Sequence, residues 1–432
     1  MSTRKDSLSS PARRRFLLGS SAALAGASLA PHVARAAAAR VVVVGGGFGG
    51  ATCARYIKRL DPGIHVTVLE RSPVFVTCPF SNLVLAGMRD MQSITFGFDG
   101  LRAAGVNVQH GIAAGIDADR RMLHLAGGEQ LDYDRLVVSP GIDFKYGAIP
   151  GFDSMTPEVM PHAWKAGKQT VLLRRQLEAM PDGGTFILAA PANPFRCPPG
   201  PYERVSLMAH YFSQHKPKSK ILILDAKDKF SKQGLFTEGW EQLYPGMIEW
   251  ISGSNGGVVD EVRAGSRTLV TESGFTEHRG DVVNFVPPQH AGTIARSSGL
   301  TDDSGWCPVD QSSFESSLVG GVHVIGDAAV AGKMPKSGFA ANSQAKICAN
   351  AVVRALRERA PVEPSYANTC YSLVGPEYGI SVSAVYQHAG GTIVPIEGAG
   401  GVSPGDVDAE FRKLEADYAR GWYEAITNDI WG

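Results

Sequence analysis

Neither sign of charge prevails in this chain. Its 432 residues carry 42 Lys plus Arg against 42 Asp plus Glu, a formal net charge of zero. That balance gives no electrostatic case for a nucleic-acid or anionic-membrane partner. Cysteine is sparse, with six residues at positions 53, 78, 197, 307, 348 and 370. No two of them form C-x-x-C, which excludes a dithiol redox motif and metal-knuckle spacing. No C-x-x-C-H occurs, which excludes attachment of a c-type haem to this chain. No apolar run is long enough to span a bilayer, and no apolar or basic amphipathic segment is built to lie on one, so membrane insertion is not expected. What is present is ordinary globular composition, 44% hydrophobic and 19% charged, on enough chain for two or three cores.

The N-terminus has the order of an export signal. Arg13 to Arg15 precede an apolar stretch from Phe16 to Leu29, and Ala34-Arg35-Ala36 forms a small-residue cleavage site. Arg13-Arg14-x-Phe16-Leu17 resembles the twin-arginine signal of bacterial proteins exported folded. An ordinary signal with extra arginines is the alternative. Residues 1–36 are therefore expected to be cleaved and the mature chain to work in the periplasm, an oxidising compartment.

The segment "RVVVVGGGFGGATCARYIKRL" reads as buried strand, glycine loop and helix. Gly45, Gly47 and Gly50 match G-x-G-x-x-G. The first makes the turn, the second admits a pyrophosphate, and the third lets the helix pack on the sheet. A second strand, "IHVTVLE", ends in Glu70, twenty residues after Gly50, where a carboxylate binds ribose hydroxyls. Together these predict a dinucleotide site. "YDRLVVSPGI" (133–142), with Gly141 in its turn, looks like the strand that returns the chain to the first domain in two-dinucleotide-domain flavoproteins. "GVHVIGDAAV" (321–330) looks like their late strand ending in Gly-Asp, and by that likeness Asp327 binds the ribityl chain of FAD, with a helix N-cap as its structural alternative. The helix expected from Gly338 to Leu356 aims its N-terminus at the flavin ring. From about Arg40 to Arg357 the order resembles the glutathione-reductase-like flavoproteins.

A second strand–helix–strand unit, "TFILAA" to "KILILDA", lacks what its turn should carry. No glycine occurs from Thr185 to Pro199, and prolines stand at 191, 194, 198, 199 and, just beyond, 201. Each removes a backbone N–H that a phosphate needs. Asp225 can still reach a ribose but has no phosphate cradle beside it. A nicotinamide cofactor is not expected here, so electrons enter from elsewhere.

Cys53, Cys307 and Cys348 read as small core residues. Cys78 sits in "SPVFVTCPFSN", Cys197 in "PANPFRCPPGPYER" and Cys370 in "YANTCYSLVGPEYGISVSAVYQ". Two of these three can form an inert staple, as is common in exported proteins, or a redox-active disulfide. Spacing does not choose between them or fix the pairing.

The stretches "TCPFSN", "FRCPPGPYER", "MPKSGFAANSQAK" and "NTCYSLVGPEYGISV" resemble the flavoprotein subunit of flavocytochrome c sulfide dehydrogenase. The resemblance spans nearly the whole mature chain. It implies that Cys78 bonds covalently to the 8α-methyl carbon of FAD (an 8α-S-cysteinyl link). It also implies that Cys197 and Cys370 form a disulfide above the flavin, and that Glu203 lies near it as a candidate acid/base. A plain first-turn helix carboxylate is the alternative for Glu203. Arg196 reads as an exposed loop-edge arginine, or as a group that stabilises an anion or thiolate. The family chemistry is oxidation of hydrogen sulfide, with electrons passed to a c-type cytochrome subunit in a heterodimer, and haem held only by that partner. A sulfide:quinone oxidoreductase-like flavoprotein, or a flavin electron carrier with only a structural disulfide, are the alternatives.

The expected fold is α/β, with two Rossmann-like domains, the second inserted in the first, and a C-terminal α+β interface domain. Boundaries are placed at 37–148 with 281–360 for the FAD domain, 149–280 for the inserted domain and 361–432 for the last. The C-terminal region is the candidate docking surface. Its final helix, about Val407 to Asn428, puts Phe411, Leu414, Tyr418 and Trp422 on one face, expected to be buried against the chain's own core. Trp431 carries no assigned role.

Overall fold

The structure is a computed structural model and describes residues 38–432. The export signal expected over 1–36 lies outside the described residues. Four consecutive valines, Val41 to Val44, form a strand buried on both faces, as the inner strand of a parallel sheet requires. This is β1 (Arg40–Val44), followed by α1 (Phe48–Leu60), β2 (His65–Glu70), β3 (Asn107–His110) and β4 (Arg135–Val138). The chain then builds a second unit from β5 (Thr185–Ala190), α2 (Gly200–His215), β6 (Lys220–Asp225), α3 (Gln233–Leu243), β7 (Ile248–Ile251) and β8 (Val282–Phe285). It returns through β9 (Val322–Val324) and α4 (Gly338–Leu356). It ends in β10 (Ser365–Gly375), β11 (Tyr378–Ala389), β12 (Thr392–Val402) and α5 (Ala409–Trp431).

The first sheet has strand order β9-β4-β1-β2-β3 and is parallel throughout. The second has order β7-β6-β5-β8 and is also parallel. β10, β11 and β12 form an antiparallel meander covered by α5. The fold is thus the expected one, with the second parallel sheet inserted between β4 and β9. One boundary shifts. Val282–Phe285 pairs with β5, so the second sheet runs past residue 280, where the sequence expectation ended it.

In the first unit the loops at the C-terminal ends of β1, β2, β4 and β9 face one crevice, the usual ligand position in such sheets. Gly50 allows α1 to start there, because a Cβ on it would stand 1.8 Å from the Gly45 carbonyl oxygen. Only glycine permits that approach.

α5 corrects the expectation for its apolar face. Ala416, Ala419, Tyr423, Ile426, Ile430 and Trp431 are buried, while Leu414 and Tyr418 remain 46% and 55% exposed and Phe411 lies beside them at the surface. The reason is close packing. A Cβ on Gly379 of β11 would meet the Ala416 backbone nitrogen at 2.3 Å, so this part of the helix turns Ala416 and Ala419 inward and leaves Leu414 and Tyr418 outward. Trp431 stacks on Phe75 and Phe96, each at 5.1 Å between centroids, and donates from Nε1 to the Gly46 carbonyl at 3.2 Å. The C-terminus therefore clamps the glycine loop. Among the described residues no helix is long and apolar enough to cross a membrane.

Candidate functional site

A cavity of about 1120 Å³ opens between the first sheet, α2 and β10. Ligand sites typically measure roughly 300–1,000 Å³, so a long cofactor has room here. Gly45, Gly47, Glu70, Cys78, Gly141, Cys197, Glu203, Asp327 and Cys370 all line it. Gly50 does not, being covered by Gly45.

Gly45 has φ +99°, and a Cβ on Gly47 would be 2.9 Å from the Phe75 ring. Glu70 closes β2 with its carboxylate turned to the glycine loop, accepting from Gly46 N at 2.7 Å and Ser72 N at 3.1 Å. Gly141, at φ +64°, leaves space for the Arg196 guanidinium, which a Cβ would meet at 2.7 Å.

Arg196 departs from the loop-edge expectation. It crosses the cavity wall, donating from Nε to Asp327 Oδ2 at 2.6 Å and from Nη1 to the Trp164 carbonyl at 3.3 Å, with Cys78 Sγ 3.7 Å away. Burial alone lowers its affinity for the proton, but Asp327 first and Cys78 next outweigh that and hold it above the ordinary range. Asp327 is not the cap of α4; Ser337 Oγ takes that place, accepting from Ala340 N at 3.0 Å. The other oxygen of Asp327, Oδ1, is buried and has no hydrogen-bond partner among the described residues.

Cys197 stands just before α2 in left-handed backbone, φ +58°, a strained setting for a non-glycine residue. It is held by Cys197 N donating to the Lys336 carbonyl at 2.7 Å and by its own carbonyl accepting from Gly200 N at 2.8 Å. A Cβ on Gly200 would meet the Cys197 sulfur at 3.0 Å and Trp164 at 2.9 Å, so glycine at the helix start makes room for the thiol. Burial pushes this thiol up, Glu203 adds to the rise, and Lys232 opposes it. Cys370 lies on β10 opposite Val382, and Asn368 Nδ2 donates to its sulfur at 3.3 Å. All six cysteines are free thiols here, so the expected Cys197–Cys370 bond is absent, although both residues line the same cavity.

Glu203 is in the first turn of α2 and accepts from Asn82 Nδ2 at 2.8 Å and Leu373 N at 3.0 Å. Burial raises its carboxyl above the usual glutamate range; the two donors, Lys232 and Arg204 offset part of that rise. A carboxyl whose proton is held more tightly than usual, in reach of a thiol site, is suited to give up that proton as an acid.

Asp225 is not available to a ribose. It is fully buried, accepting from Tyr202 Oη at 2.5 Å, Trp250 Nε1 at 3.0 Å and Lys227 Nζ at 2.6 Å. Phe230 stacks on Tyr202 at 3.6 Å beside it. An aromatic and ionic cluster thus surrounds the carboxylate that would bind ribose in a nicotinamide site.

Sequence reasoning passed over two residues. Arg204 donates to Asn82 Oδ1, Asn284 Oδ1 and the His162 and Ala163 carbonyls, with Trp164 stacked against it at 4.6 Å. Lys232 Nζ donates to the Cys370 carbonyl and Ser372 Oγ, both at 2.8 Å. Arg204 adjoins Glu203 in sequence, which is its only signal. Lys232 is 138 residues from Cys370 and carries none.

Comparison with known proteins gives this geometry a family. The family model "Sulfide dehydrogenase (flavocytochrome c) flavoprotein chain, central" matches residues 170–287. "Flavocytochrome c sulphide dehydrogenase, flavin-binding" matches 362–431, and "Pyridine nucleotide-disulphide oxidoreductase" matches 39–173. A sulfide dehydrogenase (flavocytochrome c) flavoprotein chain from Chlorobaculum thiosulfatiphilum is 67% identical over 38 residues, 9% of this chain and 79% of that one. The chain belongs to the flavocytochrome c sulfide dehydrogenase flavoprotein family.

Relatives extend to the mitochondrial sulfide:quinone oxidoreductase of Mus musculus, 22% identical over 300 residues, 65% of this chain and 63% of that one. Among solved structures, the sulfide:quinone oxidoreductase of Aquifex aeolicus shares the fold at TM-score 0.72 and 17% identity, covering 91% and 92% of the two chains. Putidaredoxin reductase, in its covalent complex with putidaredoxin, does so at 0.65 and 16%, covering 88% and 93%.

As a member of this flavoprotein family the chain is a sulfide-oxidising FAD protein related to sulfide:quinone oxidoreductases. The residues present fit FAD. The glycine turn has no side chain to obstruct a pyrophosphate, Glu70 stands at the ribose position, and the unpartnered Oδ1 of Asp327 lacks the hydroxyl donor that a ribityl chain supplies.

Proposed function

We propose that this chain oxidises hydrogen sulfide with Cys197 and Cys370 as a redox-active disulfide beside FAD, and passes the electrons to a separate c-type cytochrome chain in a heterodimer. Cys78 carries the FAD by an 8α-thioether link. The observation behind this proposal is the convergence of the three family cysteines on the cavity that the dinucleotide loop also lines.

Hydrosulfide attacks one sulfur of the Cys197–Cys370 bond and expels the other. The S–S bond breaks, and a new one forms between the attacked cysteine and the incoming sulfur. Glu203 in its neutral form gives its proton to the expelled thiolate, so a persulfide, a thiol and a carboxylate result. Release of the outer sulfur and re-closure of the cysteine pair then yields two electrons and two protons, one of which returns to Glu203. FAD, when bound, supplies the two-electron sink and the one-electron exit toward haem. Asp327 and Glu70 bind its polar chain, and Arg196 holds Asp327 in place. On this reading residues 1–36 are a twin-arginine signal and the reaction is periplasmic, where a covalent Cys78 link prevents loss of the cofactor.

The test is anaerobic addition of sulfide to the purified flavoprotein. The flavin colour should bleach in the wild type and at least ~100-fold more slowly in Cys197→Ser, the scale of losing a reacting nucleophile. Bleaching at the wild-type rate in that variant would remove the disulfide mechanism and leave only an FAD protein.

A further inference from the structure

Two buried cations stand behind the cysteine pair, and each is met chiefly by neutral oxygens. Lys232 is 8% exposed and Arg204 is 2% exposed. Lys232 lies in left-handed backbone, φ +60°, at the residue before α3. Its ammonium ends against β10, on the Cys370 carbonyl and Ser372 Oγ. Arg204 spends its donors on two carbonyls and two Asn side chains. Glu203 is the acid near both, and burial disfavours its ionised form.

The other groups around the pair do not cancel this excess. Arg196 from the Cys197 loop is paired with Asp327. Cys78 faces the pair from the loop after β2, while Lys336, from the loop before α4, turns its ammonium to the Asp327 and Ala329 carbonyls and the Trp306 ring. Tyr371 on β10 and Tyr386 on β11 are phenols with raised values, burial being the first cause. Glu415 on α5 is engaged by Ser381 Oγ at 2.8 Å and by Arg412 at 3.6 Å. A desolvated cation with neutral partners is stabilised by any anion that arrives, and the cysteine chamber is where one can arrive.

We infer that Lys232 is a positioning residue for the reaction: with Arg204 it is the buried counter-charge that holds an anionic sulfur, hydrosulfide or expelled thiolate, between Cys197 and Cys370. Burial first, opposed by Cys370, Glu203 and Cys197, sets its ammonium at about 8, so it is cationic at neutral pH. This rests on the cysteine pair being the sulfur-handling centre, but its test uses thiol ionisation rather than turnover, so the two stand or fall separately.

The flavin-loaded protein is reduced with tris(2-carboxyethyl)phosphine and treated with iodoacetamide across a pH series. Labelling of the Cys197 and Cys370 peptides is followed by mass spectrometry. Lys232→Gln keeps a donor for the Cys370 carbonyl and loses the charge. Alkylation of Cys197 at pH 8 should slow about tenfold, with the profile displaced about one unit upward and its high-pH plateau unchanged. Lys232→Arg keeps the charge and should stay within about threefold of the wild type. If the Gln variant fails to retain flavin, Lys232→Met carries the same expectation. A Gln or Met variant with the wild-type profile, as a merely structural pin predicts, overturns the inference.

Discussion

Glu203 has given up water and kept two donors, Asn82 and Leu373. The consequence for stability has a definite sign. Its carboxyl is raised in the folded chain, so the folded form holds the proton more tightly than the unfolded form does. The stability linked to that proton is fully present below the ordinary glutamate value of 4.5 and is lost as pH rises through the folded value. Glu203→Gln removes the titration. Its melting temperature should therefore gain on the wild type as pH rises from the ordinary glutamate value through the raised folded value. A difference that is flat with pH would mean that the carboxylate is fully compensated where it sits. At this scale the sequence exposed Cys78, Cys197, Cys370 and Glu203 through their surrounding motifs. It did not expose Lys232, because a contact between positions 232 and 370 is made by packing and leaves no local pattern. Asp225 shows the converse: a residue well placed by its strand is withdrawn by an aromatic and lysine cluster assembled from distant positions.

The strand–loop–helix unit at β1 and α1 was legible because its demands are local. Valines make an inner strand, and glycines make the turn and the close helix approach. Gly50→Ala puts a methyl group against the Gly45 carbonyl at 1.8 Å, and the helix or the loop must move. Overpacking of this kind costs about 1–3 kcal/mol, so a drop in melting temperature and a large loss of bound flavin should appear together. Full flavin content in that variant would show that the loop tolerates displacement. α5 was legible as a helix but not as to which face it buries. The sequence pointed to the face of Phe411, Leu414 and Tyr418, whereas the close contact of Ala416 with Gly379 turns the Ala416 and Ala419 side of the helix to the sheet.

Across the whole molecule, that choice leaves Phe411, Leu414 and Tyr418 outward on α5, three large apolar groups on one helix face. Trp422, on the same helix, reaches the cavity wall. Exposed apolar groups gathered in this way mark contact surfaces, and under the proposed function this is the face on which a cytochrome chain docks. Replacing all three with Ser should raise the KM for the cytochrome about tenfold, as loss of an aromatic anchor does. Bleaching of the flavin by sulfide should stay within about twofold, because isolated surface changes seldom exceed about 0.5 kcal/mol. An unchanged KM would put the docking site elsewhere.

The sequence by itself determined the two parallel sheets, the dinucleotide loop, the missing nicotinamide cradle and the cysteines worth following. These depend on periodicity, glycine and proline placement, and short motifs, all of which act between neighbours in the chain. Only the tertiary structure decided that Arg196 is drawn inward to Asp327, that Trp431 closes over the glycine loop, and that two buried cations stand behind the cysteines. Those outcomes depend on which groups meet after the sheets stack and water is excluded. Removal of water makes each unpaired charge count, and only the assembled fold determines which charges lose it.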